Sequence, residues 1–103
     1  METSPLKILL ISADETISRQ VGDLLGSSAE LTNEPTADAG LAMVTTNHFQ
    51  AVLFEIPHQN AAALFQITSL TTKAPQLPVI VIGPSLDEKF LAEAVFSGAQ
   101  DYL

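Results

Sequence analysis

Apolar residues in this chain fall into short unbroken runs separated by longer stretches in which they recur every three or four positions. Lys7-Ile8-Leu9-Leu10-Ile11, Ala51-Val52-Leu53-Phe54 and Val79-Ile80-Val81-Ile82 are the unbroken runs. Runs of this length predict parallel strands covered on both faces, because such strands show no alternation. Ala29 to Glu34 alternates instead and predicts a strand nearer a sheet edge. Gln100-Asp101-Tyr102-Leu103 reads as the start of a fifth strand.

The stretches between them carry helical spacing. From Glu15 to Leu25, the residues Ile17, Val21, Leu24 and Leu25 form one stripe, and Gly26 is the stop signal. Thr36 to Asn47 offers Thr36 as N-cap and Leu41, Met43 and Val44 as apolar positions. Asn60 to Thr71 carries Leu64, Ile67 and Leu70. Asp87 to Ser97 opens on two acids, which suit a helix N-terminus, and closes at Gly98, which suits a C′ position. The resulting β-α-β-α-β-α-β-α-β order predicts an α/β fold: a parallel sheet with right-handed crossovers and helices on both faces. Nothing repeats, and no low-complexity linker divides the chain. A fifth helix to cover the last strand is missing from the sequence, which predicts that residues 1–103 form one domain at the N-terminal part of something longer.

Composition adds exclusions. The 103 residues suffice for one core, and 47 % apolar with 16 % charged residues is ordinary for a globular domain. Twelve acids face only Lys7, Arg19, Lys73 and Lys89, a net charge of −8. Such a surface repels nucleic acid and anionic membranes. The absence of cysteine excludes disulfides and thiolate metal sites. Met1 to Pro5 lacks the basic and apolar regions of a signal peptide, and Pro57, Pro75, Pro78 and Pro84 break the one weakly charged stretch before it reaches membrane-spanning length. The expectation is a cytoplasmic protein.

Chemistry in open α/β sheets collects at the carboxyl ends of the strands. The run from Phe49 ends on Glu55, whereas the first run leads into Ser12-Ala13 and the fourth into Gly83-Pro84. One carboxylate therefore stands where a site is expected, with few helpers. Asp14 has two readings, a metal ligand or an N-cap for the first helix, with Glu15 adding favourable helix-end charge. His48 and His58 lack acidic neighbours spaced as ligands, and His58 follows the third strand as a loop residue. No Gly-x-Ser-x-Gly elbow supports a hydrolase.

Three stretches give the chain a family likeness: Lys7-Ile8-Leu9-Leu10-Ile11, Phe49 to Glu55, and Leu77 to Gly83 followed by Ala94 to Leu103. The ending Gly98-Ala99-Gln100-Asp101-Tyr102-Leu103 is the most specific. Together they resemble a receiver domain of the response-regulator family over nearly the whole chain. The resemblance implies a flavodoxin-like, doubly wound five-stranded sheet of order 2-1-3-4-5 and a role in two-component signalling. It puts the phosphoacceptor position on Glu55, where the family has aspartate. The acidic pair that helps hold magnesium falls on Ser12 and Ala13, with Asp14 one step beyond. The switch hydroxyl falls on Gly83 and the switch aromatic on Tyr102, and the family's lysine would lie beyond Leu103.

These departures predict a degenerate member. Aspartyl-phosphate chemistry needs a positioned carboxylate, a divalent cation and donors to the transferred group. Magnesium favours octahedral oxygen ligands and takes one or two carboxylates, whereas Ser12 and Ala13 supply at most one neutral oxygen. Glu55 reaches a methylene further than aspartate, a shift of about an angstrom that costs roughly a hundredfold in rate. Three readings of Glu55 stand: a fixed charge imitating phosphorylation, a weak acceptor, or a carboxylate held by backbone donors or water. Phe96 falls where the family has a polar, solvent-facing residue. Exposed near Tyr102, it would mark a contact surface, even a homodimer interface; packed inward or under a missing fifth helix, it would be core. The third helix, opening Ala61-Ala62-Ala63, presents either a second contact face or a weakly polar one of Gln66, Thr68 and Ser69.

The expectation is a regulatory, non-catalytic domain. It would act without phosphate or magnesium, by contact with a partner or an attached output domain of a two-component or cyclic-di-GMP signalling protein. One alternative is a phosphoacceptor using Glu55 with magnesium. Another is a flavodoxin-like nucleotide or flavin binder, against which the loop Ser12 to Thr16 offers no glycine and two acids.

Overall fold

The computed structural model describes residues 6–103. Its elements run β1 (Leu6–Ile11), α1 (Glu15–Leu25), β2 (Ala29–Glu34), α2 (Ala37–Thr46), β3 (Ala51–Glu55), α3 (Ala61–Lys73), β4 (Val79–Ile82), α4 (Glu88–Phe96) and β5 (Asp101–Tyr102). The strands form one sheet of order β2-β1-β3-β4-β5, and every pairing is parallel. The alternating order and the strand order expected from the sequence are both present. A short 3-10 turn, Gly26–Ser28, joins α1 to β2 and carries no signal in the apolar pattern.

The helices begin where short polar side chains take the first free amides. Asp14, Thr36, Asn60 and Asp87 each accept a backbone N–H from the first turn of the helix that follows. α1 ends at Gly26, whose φ of 55° is costly for any residue with a Cβ.

Register divides the core by parity. Leu9, Ile11, Val52, Phe54, Val79 and Val81 face one side and join Ile67 and Leu70 of α3, and Phe90 and Ala94 of α4, in one buried cluster. Ile8, Leu10, Leu53, Ile80 and Ile82 face the other side. There α1 covers β1, so Ile8 and Leu10 are buried, but Leu53, Ile80 and Ile82 stay half-buried. A helix about 10 Å wide spans roughly two strands spaced about 4.8 Å apart. One helix therefore leaves the β3–β5 half of this face open.

One expected core residue is corrected. Leu24 is 86 % exposed, while Ile17, Ser18, Val21, Gly22 and Leu25 carry the contact face of α1. That face lies close to β2: a Cβ built on Gly22 would meet Leu31 Cδ2 at 3.9 Å.

Candidate functional site

The carboxyl ends of β1 and β3 form a shallow, open cleft lined by Ala13, Asp14, Glu15, Thr16, Glu55 and Pro57. Its centre follows directly from register. Ile11 pairs with Phe54, so the next rung sets Ser12 beside Glu55. The Ser12 hydroxyl donates to Glu55 Oε1 at 2.9 Å and accepts the Asp14 N–H at 3.1 Å. Ser12 is buried, and β2 braces its backbone: its N–H donates to the Glu34 carbonyl, and Asn33 Nδ2 donates to the Ser12 carbonyl at 3.2 Å. Glu55 is half-buried, with one oxygen committed to Ser12.

Asp14 acts as the helix cap. Its Oδ1 accepts from the Thr16 N–H at 2.8 Å and the Ile17 N–H at 3.4 Å. Ala13 has no ligating side chain, one Glu55 oxygen is taken by Ser12, and one Asp14 oxygen is taken by the first turn of α1. Among the described residues no three His, Asp or Glu side chains gather as a metal-binding group. The acids that line the cleft, Asp14, Glu15 and Glu55, also repel an incoming phosphate. Replacing Ser12 by alanine removes the donor to Glu55 and the acceptor for Asp14. The expected loss of stability in urea unfolding is about 1 kcal/mol, the ordinary net contribution of a hydrogen bond whose acceptor retains access to water. In a Glu55→Ala background the same change is expected to cost less, since the acceptor is already gone.

Gly83 stands at the end of β4, beside this cleft but outside its lining. A Cβ on Gly83 would lie 2.2 Å from Leu86 Cδ1, 2.5 Å from Leu86 Cγ and 3.1 Å from the Ile56 carbonyl oxygen. Buried Leu86 thus fills the space that a side chain at position 83 would use. Sequence reading missed Leu86. Its signal was its place at N′ of α4, with Leu91 at N4, the spacing of a hydrophobic staple. Asp87 next to it caps α4 by accepting the Phe90 N–H at 2.8 Å, while its own N–H donates to Gln59 Oε1. The Phe90 amide, with Gln59 assisting, holds the Asp87 carboxyl below the ordinary aspartate range.

The remaining expected residues lie apart from the cleft. Phe96, the last residue of α4, is 91 % exposed and does not pack inward against the described residues. Tyr102 pairs with Val81, which places it on the α4 side of the sheet, 45 % exposed at the β5 edge. Val95 is exposed as well. On α3 the surprise is Phe65, 74 % exposed beside a groove toward α2 that Ala37, Leu41 and Ala62 also line. It sits off the Ala63-Ile67-Leu70 stripe, which counting at 3.6 residues per turn would have shown. Thr68 is used structurally, its hydroxyl donating to the Ser97 carbonyl at 3.1 Å. His48 lies at the opposite end of the sheet beside Asn47 and Phe49, and His58 is exposed in the loop after β3.

No family model matches the sequence, and no curated protein matches it. Solved structures do. An orphan response regulator of H. pylori shares 16 % identity at a TM-score of 0.84, over 99 % of this chain and 84 % of its own. A CheY-like receiver domain from Methanospirillum hungatei shares 21 % at a TM-score of 0.79, over 97 % of this chain and 81 % of its own. A Burkholderia pseudomallei response regulator, solved with a phosphorylated aspartic acid and a calcium ion, shares 19 % at a TM-score of 0.82, over 95 % of this chain and 58 % of its own. At these identities the likeness defines the fold. It is a doubly wound, flavodoxin-like α/β sheet, and within that class it is the fold of CheY-like receiver domains. Among the described residues no helix is long and apolar enough to cross a membrane.

Proposed function

We propose that this chain is a cytoplasmic receiver domain of the response-regulator family that works without phosphoryl transfer and regulates a partner or an attached output domain by contact. The observation that carries this reading is the Ser12–Glu55 hydrogen bond at 2.9 Å. It commits the acceptor-position carboxylate to a neutral side chain, at the place where a cation would have to bridge carboxylates. Asp14, which lines the same cleft, is engaged as a helix cap. In the phosphorylated Burkholderia relative the modified residue is an aspartic acid; here the position holds the longer Glu55.

The contact surface in this reading is the outer side of α4 with β5, where Val95, Phe96 and Tyr102 are exposed. Aromatic and aliphatic side chains of this kind serve as anchors when a partner, or a second copy in a homodimer, covers them. The half-open face of β3–β5, with Leu53, Ile80 and Ile82, is a seat for one further helix, in keeping with a domain that belongs to a longer signalling protein. The domain is regulatory rather than catalytic and has no use for magnesium.

The test is an amide NMR titration of the protein with magnesium, then with magnesium and beryllofluoride as a phosphoryl mimic. The expected result is that Ala13, Glu55 and Gly83 keep their shifts. A saturable shift at these residues, followed by Tyr102, would overturn the reading and make Glu55 a working acceptor.

A further inference from the structure

The geometry points to Leu86 as an apolar plug that locks α4 to the carboxyl edge of the sheet, so that the Phe96 surface is displayed in one fixed position. Three strand ends meet at Gly83. Its N–H donates to the Leu103 carbonyl at the end of β5, its carbonyl accepts the Leu86 N–H at 3.1 Å, and its bare Cα lies against Leu86 and the Ile56 carbonyl that follows β3. Only a residue without a Cβ leaves room for Leu86 there, since a Cβ at 83 would sit 2.2 Å from Leu86 Cδ1.

From that seat Leu86 reaches directly into α4. It precedes the cap Asp87, and it belongs to the same buried cluster as Phe90 and Ala94. A second tie runs through the loop after β3, whose Gln59 side chain accepts the Asp87 N–H. Moving α4 relative to β4 therefore requires Leu86 to leave a filled site and Asp87 to give up Gln59 together. A close-packed core resists such shifts, because it switches between discrete packings rather than deforming gradually. α4 ends on exposed Phe96, so the plug sets where that side chain is presented. The functional weight of the plug rests on the contact role proposed for α4 and β5; its mechanical claim does not.

The experiment is amide relaxation dispersion and hydrogen exchange on the wild type and on Leu86→Ala, Leu86→Met, Gly83→Ala and the Gly83→Ala/Leu86→Ala pair. The wild type is expected to show flat dispersion across residues 84–97. In Leu86→Ala, microsecond-to-millisecond exchange is expected from Asp87 to Phe96, with protection of the Phe90 and Ala94 amides down by about tenfold or more. Leu86→Met should stay near wild type, because the volume is conserved. Gly83→Ala should resemble Leu86→Ala by expelling the plug. The pair should recover part of the lost protection, since the new methyl enters the space the leucine vacated. Exchange across residues 84–97 in the free wild type would overturn the proposal, and so would wild-type protection in both Leu86→Ala and Gly83→Ala. If Leu86→Ala does not fold, the wild-type dispersion and Gly83→Ala decide. Beryllofluoride binding at Glu55 with α4 unmoved would end the phosphate-independent reading and leave the plug standing. Exchange of α4 in the free wild type would end the plug and leave that reading standing.

Discussion

Leu9→Ala is expected to lower the unfolding free energy by about 2–5 kcal/mol, against a total of roughly 5–15 kcal/mol for a domain of this size. Leu9 is fully buried in β1 and packs into the cluster that α3 and α4 close from above. Removing its branched end opens a cavity that rigid neighbours fill only in part. Leu53→Ala, on the neighbouring strand but opposite face, is expected to cost only about 1 kcal/mol. Its side chain is half-buried, so little apolar area returns to water and no closed cavity forms. Urea unfolding of the two variants checks the contrast. Equal losses would mean that the β3–β5 half of the second face is covered in solution, by a second copy of the chain for instance.

Gly40→Ala carries the second large effect, with a sign that local propensity gets wrong. Alanine in a helix interior is better than glycine by about 1 kcal/mol. Gly40, however, is buried in α2 where it crosses β1, and a Cβ there would lie 2.5 Å from Ile11 Cδ1 and 2.7 Å from Ile11 Cγ1. Ile11 is itself buried, and Leu9 Cδ2 lies 3.7 Å from the same point. Overpacking of this kind costs about 1–3 kcal/mol. The expected outcome is a net loss of up to about 2 kcal/mol. Ile11→Val alone should cost about 0.5–1.5 kcal/mol. Combined, the two should cost less than their sum by about 0.5 kcal/mol or more, because valine withdraws the Cδ1 atom from the collision. Strict additivity in the double-mutant cycle would show that α2 lifts from the sheet instead of Ile11 yielding.

Both results depend on how local signals combine in three dimensions. The element order was legible because parallel strands buried on both faces leave unbroken apolar runs and helices leave three-to-four spacing. Asp14 and Thr36 were legible as caps because free amides at a helix start need an acceptor, whereas Asn60 and Asp87 were read only as the first residues of their helices. Asp14 is the instructive case. Both of its readings were chemically sound, and its contacts with the Thr16 and Ile17 amides favour the cap. For Phe96, only the orientation of α4 shows that it does not pack inward.

Leu86, Phe65 and Leu24 were less legible, each for a physical reason. Leu86 looks like an ordinary loop leucine until Gly83, three residues earlier, folds back against it. Phe65 lies off the helical stripe of α3, so periodicity places it outside the core, but nothing local shows that it stands beside a groove toward α2. Leu24 lies on the expected stripe of α1, but the contact face of the helix runs through Ile17, Ser18, Val21, Gly22 and Leu25 and leaves it exposed.

The sequence alone therefore determined the α/β class, the order of elements, the helix starts, the acidic surface, and the odd residue types at the strand tips. Those properties are local: burial periodicity, capping chemistry and charge are written in residues a few positions apart. Tertiary structure decided that Ser12 and Glu55, 43 positions apart, share a hydrogen bond. It also decided that Leu86 fills the space at Gly83, and that one face of the sheet is closed by three helices while the other is half-open. These depend on register and helix tilt, which arise only when distant segments compete for the same buried volume.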